Sequence, residues 1–397
     1  MGKMAKYFKQ LGYEVRVITY KHHSEDLSAP VEIPAENSIE IEAATFEQVI
    51  NDNYFNHTIP GKLFVRFKKA FTHRKLSFLL PNSSWSWYSE AVEKAEKITE
   101  SWKPDLIYSS ALPISSHFIA RKVADGYKIA WVAEFRDLWS GGHGARVNSV
   151  SSFFLKKIEK WLLKPAMGLI TVSDPLAAYL RLLHKKKVSV IYNGFDENPY
   201  AGKSYQKEKH DADLLTIVYT GSIYEGRDPD VLFEALRHLG NLRKKIQVKF
   251  YTFKSPELEQ KIKNYNLEGC VKLMDFIPYS ESLRIQSEAD ILLYLSYSST
   301  THHGRGILSG KVFEYLGAKR PILSIGADAD HLLIQQGLMI HFNDAQKLKK
   351  QILSWIDEKE KNGFIKMSGD RALVKQYSRK HQTKKAIKFI NSLLDNG

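Results

Sequence analysis

The sequence predicts an α/β protein built from two doubly wound domains with mainly parallel sheets. Three observations carry this. Short apolar runs of strand length alternate with stretches of helical period along the chain, the pattern of repeated strand–helix–strand units. The alternation breaks once, at a polar stretch over residues 198–213 with Pro199, Gly202 and several lysines, and then restarts. The length of 397 residues fits two or three domains at roughly 100–200 residues each.

Met1, Met4, Ala5, Phe8 and Leu11 fall on one helical face, and Gly12 ends that helix. A strand follows at 14–19. A long helix holds Trp87, Tyr88, Ala91, Val92, Ala95 and Ile98, and Pro104-Asp105 precede a strand at 106–108. A helix over 118–126, a strand at 129–133, a helix with Leu155, Ile158 and Leu162 inward, and a strand at 168–172 come next. Pro175 opens a further helix at a permitted first-turn position, and 188–191 is the last strand of this half. After the polar stretch, strands are predicted at 214–219, 248–251, 271–273, 290–295, 321–325 and 338–340, with helices between them. The final helices cover about 345–360 and 369–394. The domains are therefore 1–197, a linker at 198–213, 214–375, and a C-terminal helix at 376–397 that packs back on the first domain. A doubly wound domain begins with a strand, whereas this chain begins with a helix. Its first strand and the loop after it are expected to be missing.

Hydrophobic residues make up 43% and charged residues 26%, which excludes a disordered or fibrous chain. The single cysteine, Cys270, excludes an internal disulfide and points to a reducing compartment. No apolar run approaches the roughly 20 residues that span a bilayer, and the N-terminus lacks a signal-peptide core, so the cytoplasm is the expected location. The formal charge of +14 implies an anionic partner (nucleic acid, an anionic membrane face or a phosphorylated ligand) or else a basic surface kept for solubility, and charge alone does not choose. Residues 61–80 hold Lys62, Arg66, Lys68, Lys69, Arg74 and Lys75, no acid, and interleaved Leu63, Phe64, Val65, Phe67 and Phe71. This stretch suits an anionic membrane surface, with Lys68, Lys69, Arg74 and Lys75 as its contacts, or a solvated helix with one face on the core. No nucleic-acid-binding motif accompanies the charge.

Nucleotide motifs of the common kinds fail. Before Gly310-Lys311 the required glycine is Arg305, and Val312 replaces the hydroxyl residue that holds magnesium. No Gly-x-Gly-x-x-Gly follows a strand, so no dinucleotide cofactor is expected. His22-His23 and His302-His303 are adjacent pairs that do not converge on a metal, and Asp211-Ala212-Asp213 and Asp328-Ala329-Asp330 read as loop acids. The informative segment runs from Gly304 to Leu316. Its glycines, Gly304, Gly306 and Gly310, let backbone N–H groups approach a ligand, and the next helix start completes an anion site. Lys311 lies in the first turn of that helix. Glu314 sits one turn on, able to accept from ribose hydroxyls. The alternative is a plain loop before an amphipathic helix. Gly221 and Ser222 directly follow a strand, and Arg227 can pair with phosphate there, or the segment is an ordinary turn. Glu134, Arg136 and Asp137 end a strand of the first half. They read as an active-site wall or as a structural ion-pair cluster.

Taken together these segments resemble bacterial family 4 glycosyltransferases of the GT-B fold, over nearly the whole chain. The resemblance rests on WVAEFRDLW at 131–139, ITVS at 170–173, IYNGFD at 191–196, YTGSIY at 219–224, and KVFEYL at 311–316 with PIL at 321–323. It implies two Rossmann-like domains facing each other across a cleft and a retaining, metal-independent hexosyl transfer from a nucleotide-diphosphate sugar, uridine being the favoured base. In this reading Gly221, Ser222, Arg227, Gly310 and Lys311 bind the donor diphosphate, Glu314 the ribose, and DFIP at 275–278 with Ile277 the base. Glu134, Arg136 and Asp137 line the acceptor side. The acceptor would be lipid-linked or a saccharide, in lipopolysaccharide, capsule or exopolysaccharide synthesis, at the inner face of the plasma membrane. No cofactor, metal or nucleic acid is expected. Two other readings share the fold: a sugar-nucleotide epimerase, and a truncated non-catalytic partner in a polysaccharide assembly complex. The chain departs from the family pattern at Gly306, where a second glutamate is common, at Lys319, where a helix-ending glycine is common, and in the missing first strand and glycine-rich loop.

Overall fold

The computed structural model of the chain describes residues 2–21, 38–42, 87–111, 113–141, 149–197, 214–223, 226–296, 309–326, 332–367 and 369–395. They divide into two compact units. The first takes the residues up to Tyr192 together with those from Thr383 onward, and the second takes Asn193–Gln382. The stretches at 61–80 and 198–213, both histidine pairs, both Asp-Ala-Asp strings, and Gly304 with Gly306 lie outside the described residues.

In the first unit, α1 (Gly2–Gln10) precedes β1 (Val17–Lys21), which pairs in parallel with β2 (Ser38–Glu42). After α2 (Tyr88–Ser101) come β3 (Leu106–Ala111), α3 (Ser115–Tyr127), β4 (Ala130–Phe135), α4 (Ser149–Leu163), β5 (Gly168–Thr171), α5 (Asp174–His184) and β6 (Val188–Val190). Strands β3-β4-β5-β6 form one parallel sheet in that order. Its central strands β4 and β5 are buried because helices cover both faces, which parallel sheets require. On one face Trp131, Ala133 and Phe135 of β4 pack with Leu162 and Leu163 of α4 and with Ala177 and Leu180 of α5. On the other, Val132 and Ile170 pack with Met4 and Phe8 of α1.

The second unit holds β7 (Leu215–Thr220), α6 (Asp230–His238), β8 (Ile246–Tyr251), α7 (Pro256–Asn264), β9 (Val271–Met274), α8 (Tyr279–Glu288), β10 (Ile291–Leu295), α9 (Gly310–Ala318), β11 (Ile322–Ile325), α10 (Leu332–Gln335), β12 (Ile340–Phe342), α11 (Ala345–Asn362) and α12 (Arg371–Gln376). The six strands are parallel in the order β12-β11-β10-β7-β8-β9. The order reverses between β7 and β10, and in such sheets the crevice at the carboxyl end of that junction is where ligands bind.

Most boundaries differ from the sequence reading by one to three residues, and some differences have physical causes. The last predicted helix is two, α12 and α13 (Arg379–Leu394). Between them the backbone pairs with another segment: Phe195 N donates to Tyr377 O at 3.2 Å and Arg379 N to Phe195 O at 2.8 Å. Gly194 is required beside them, since a Cβ there would lie 2.8 Å from both Arg379 N and Tyr377 O. From Thr383 onward α13 belongs to the first unit, where Ala386, Ile390 and Leu393 pack on Val132 and Ile170. Ile158, expected on the inward face of α4, is 37% exposed, and Leu155 and Leu162 are buried with Leu163 instead. Lys319 ends α9 in the left-handed region (φ 58°), a conformation that glycine adopts without the steric cost of a Cβ.

One buried ion pair ties the second unit together. Lys359 Nζ on α11 donates to Asp290 Oδ2 at 2.5 Å and to Leu214 O at 2.6 Å, and the same Asp290 oxygen accepts from Thr216 N at 2.8 Å. The Lys359 and Asp290 side chains are 7% and 13% exposed. Removing one partner of such a pair strands the other in a poor solvent. Asp290→Ala is therefore expected to destabilise the second unit by about 3 kcal/mol, read as a lower midpoint in urea denaturation; an unchanged midpoint would show that the pair contributes nothing.

Candidate functional site

The carboxyl end of β7 carries a cluster of charged and polar groups. Gly221 follows the strand directly, with φ +97°, a conformation that favours glycine. A Cβ there would also lie 3.0 Å from Lys311 Nζ and 3.1 Å from its Cε. The residue is thus required twice, for its backbone angle and for the close approach of the lysine.

Lys311 stands in the first turn of α9. Its Nζ donates to Tyr219 Oη at 2.9 Å and lies 4.1 Å from the centroid of the same ring, a cation–π distance. Tyr219 Oη in turn donates to Ser222 O at 2.8 Å, so one buried tyrosine fixes both the lysine and the loop after β7. Ser309 precedes α9 in an extended conformation and its side chain does not cap the helix. Burial pushes the Lys311 ammonium down to a pKa of about 7. The nearby Arg227 guanidinium lowers it further, and the Glu314 carboxylate opposes both. Two cations and one carboxylate therefore gather around Gly221, at the point where the strand order reverses.

Glu314, one turn beyond Lys311 on α9, is hydrogen-bonded by Tyr279 at the start of α8. Burial and the Glu314 charge push the Tyr279 phenol well above its ordinary pKa, with the Arg379 guanidinium opposing. Arg379 also lies 3.6 Å from Asp196. Next to Glu314, Tyr315 Oη accepts from Thr220 N at 3.0 Å, and Gln286 Nε2 of α8 donates to Thr220 Oγ1 at 3.0 Å. This buried network locks α8, α9 and the last residue of β7 together. Ile277 lies in the loop after β9, half-buried. Its neighbour Phe276 stacks on Phe253, with ring centroids 4.0 Å apart and planes at 5°. Gly310 is exposed, and a Cβ on it would lie 4.0 Å from Asn193 Nδ2.

The predicted group in the first unit is differently placed. Glu134 is buried in β4, 3% exposed, and its Oε2 meets no hydrogen-bond partner among the described residues. It and Arg136 both act on the Tyr108 phenol, which burial and the Glu134 charge push up and the Arg136 charge pulls down. Asp137 is exposed. The loop that follows is anchored from below. Ser140 N donates to Glu159 Oε2 at 2.8 Å, and Glu159 Oε1 lies 2.9 Å from His184 Nε2. Under the same sheet end, Ser109 Oγ accepts from Trp131 Nε1 at 2.7 Å and meets His117 Nδ1 at 2.8 Å, while burial holds His117 neutral with a pKa of about 3. Lys68, Lys69, Arg74 and Lys75 lie outside the described residues.

The structure thus brings Gly221, Arg227, Lys311 and Glu314 into one place, with Ser222 held beside them. Sequence reasoning missed Tyr219, Tyr279, Phe253 and the Arg379–Asp196 pair. Tyr219 carried a usable signal, an aromatic hydroxyl in the penultimate position of a strand leading into a glycine turn. The others are joined only by tertiary contact.

Residues 2–198 match the sequence model of Glycosyltransferase Family 4. No curated protein sequence matches the chain. Among solved structures, sucrose-phosphate synthase from Thermosynechococcus elongatus aligns over 100% of this chain and 92% of its own, with 14% identity and a TM-score of 0.63. Anabaena HepE in complex with UDP and glucose aligns over 95% of this chain and 100% of its own, with 15% identity and a TM-score of 0.57. A putative UDP-N-acetylglucosamine 2-epimerase from Listeria monocytogenes aligns over 97% and 98%, with 13% identity and a TM-score of 0.51. The chain has an α/β GT-B fold, and its residues 2–198 are similar to Glycosyltransferase Family 4.

Proposed function

We propose that the protein is a retaining, metal-independent glycosyltransferase of hexosyl type. It moves a sugar from a nucleotide-diphosphate donor, UDP-linked in the favoured reading, to a lipid-linked or saccharide acceptor in cell-surface polysaccharide synthesis such as lipopolysaccharide or capsule. The observation that carries this reading is the convergence of Lys311, Arg227 and Glu314 around Gly221 at the strand-order reversal. When the sugar leaves, negative charge builds on the β-phosphate. Two fixed cations and the N–H groups of the α9 start stabilise that charge more than they stabilise the bound donor, so they act on the barrier. Ser222, Gly221 and Gly310 supply backbone to the phosphates. Glu314, oriented by Tyr279, accepts from the ribose hydroxyls. The Ile277 backbone meets the base.

Glu134, Arg136 and Asp137 serve the acceptor in the first unit. The buried Glu134 oxygen without a described donor supports a polar ligand there. The protein works in the cytoplasm, peripheral at the inner membrane face, with Lys68, Lys69, Arg74 and Lys75 in contact with anionic lipid. Among the described residues no helix is long and apolar enough to cross a membrane.

Lys311→Ala and Glu314→Gln should each lower donor hydrolysis or transfer by on the order of 10²-fold with folding intact, measured by release of free nucleotide; unchanged rates reject the assignment. Incubating UDP-sugars without acceptor and following the sugar by NMR should give no epimer. An epimer would replace transfer by epimerisation.

Binding of the donor should also depend on pH with a fixed sign. In the free protein Lys311 titrates near 7, so above that pH it is largely neutral. A bound diphosphate restores its charge, so binding takes up a proton, and affinity falls as pH rises above about 7, by at most about tenfold per pH unit. Below 7 the lysine is charged in both states and its contribution is constant. Calorimetric titration with UDP at pH 8 in two buffers of different ionisation enthalpy should detect proton uptake in the wild type and none in Lys311→Met. Equal uptake in both would assign the proton elsewhere.

A further inference from the structure

The second candidate surface is α4 (Ser149–Leu163) of the first unit. Its inward face is complete: Leu155, Leu162 and Leu163 are buried in the sheet core, and Glu159 is buried against His184 and Ser140 N. A helix anchored in this way normally presents polar residues to water. This one presents Phe153, Phe154, Ile158 and Trp161, which are 54%, 54%, 37% and 55% exposed. These four are the only large apolar side chains that any single described helix exposes as a group. The part of their apolar surface that remains in water contributes nothing to folding.

The charge that α4 itself exposes has one sign, while the neighbouring Arg121 of α3 is paired with Asp125. Lys157, Lys160 and Lys164 are exposed among the rings, and the helix's one acid, Glu159, points inward. Cations lie directly over the aromatic faces: Lys157 Nζ is 4.5 Å from the Phe153 centroid, and the Arg121 guanidinium of α3 is 3.8 Å from that of Trp161. With 15 residues the helix is about 22 Å long, enough to lie along a membrane and too short to cross one.

We infer that the outward face of α4 docks on an anionic lipid bilayer, with Phe153, Phe154, Ile158 and Trp161 entering the headgroup region and Lys157, Lys160 and Lys164 meeting lipid phosphates. Bilayer interfaces take aromatic rings interleaved with lysines, whose stems lie along apolar surface while their ammonium groups stay in the polar layer. Protein interfaces are depleted in lysine at their core. A two-fold contact between copies would set this like-charged face against itself. The overall charge of +14 favours the same partner. The surface is distinct from the stretch at 61–80. It adds to the membrane work proposed above without resting on the transfer chemistry.

The test is flotation of the full chain with extruded vesicles of phosphatidylcholine alone or mixed with phosphatidylglycerol. Wild type should float with the mixed vesicles and, more weakly, with the neutral ones. The double variant Phe153→Ser/Phe154→Ser should bind the mixed vesicles at least about tenfold more weakly. In Lys157→Gln/Lys160→Gln/Lys164→Gln each lost lysine should cost about fivefold, and the salt dependence of binding should become shallower. Both variants should keep the wild-type thermal midpoint and UDP affinity, so a failed donor site and a failed docking face are told apart. Wild type that ignores the mixed vesicles, or variants that bind them as wild type does, overturns the inference. So does a wild-type dimer by light scattering that the Phe153→Ser/Phe154→Ser variant converts to monomer, since a second copy would then own the face.

Discussion

Lys311 can point at the carboxyl end of β7 because the residue there has no side chain. The ammonium occupies space that a Cβ at Gly221 would contest, and the glycine's left-handed backbone turns the loop toward α6. Everything else at this end of the second unit follows from holding a buried cation in place without neutralising it by direct pairing. Tyr219 offers a ring face and a hydroxyl. Glu314 is near enough to oppose the desolvation but is itself engaged by Tyr279. Arg227 adds a second positive charge, which lowers the Lys311 pKa further. In the proposed reading this gathered charge favours a multiply charged ligand over water.

Much of this was legible from residue order. Strand β10, ILLYL between Asp290 and a polar loop, and β7, LTIVYT, are continuous apolar runs of the kind that only a doubly covered parallel sheet buries. Lys311 and Glu314 announced themselves by spacing, one helical turn apart just after a glycine. The supporting cast was not legible. Tyr279 and Glu314 are 35 positions apart and meet because α8 and α9 flank the same strand end. Nothing in local pattern encodes that meeting. Strand β2, SIEIE, alternates polar and apolar residues over only five positions and was overlooked for its brevity. Ile158 misled in the opposite direction. It fits the helical period of Leu155 and Leu162, yet Leu163 and the buried Glu159 take the inward positions instead.

The two units use charge differently. In the second, Lys359 and Asp290 are buried as a pair with a backbone partner on each. In the first, Glu159 serves the same purpose for the loop after β4, tying Ser140 N to His184. Against these satisfied cases, the Glu134 oxygen meets no hydrogen-bond partner among the described residues.

The path of α13 has a consequence for the order in which the protein takes shape. Leu393 packs so closely on β5 that a Cβ on Gly168 would lie 2.6 Å from its Cδ1, and Ala386 and Ile390 close the same layer over Val132 and Ile170. Among the described residues, one face of the β3–β6 sheet therefore has only α1 to cover it until α13 has been made. During translation the nascent first half must wait, exposing apolar surface, for a helix encoded more than 200 positions downstream of β5.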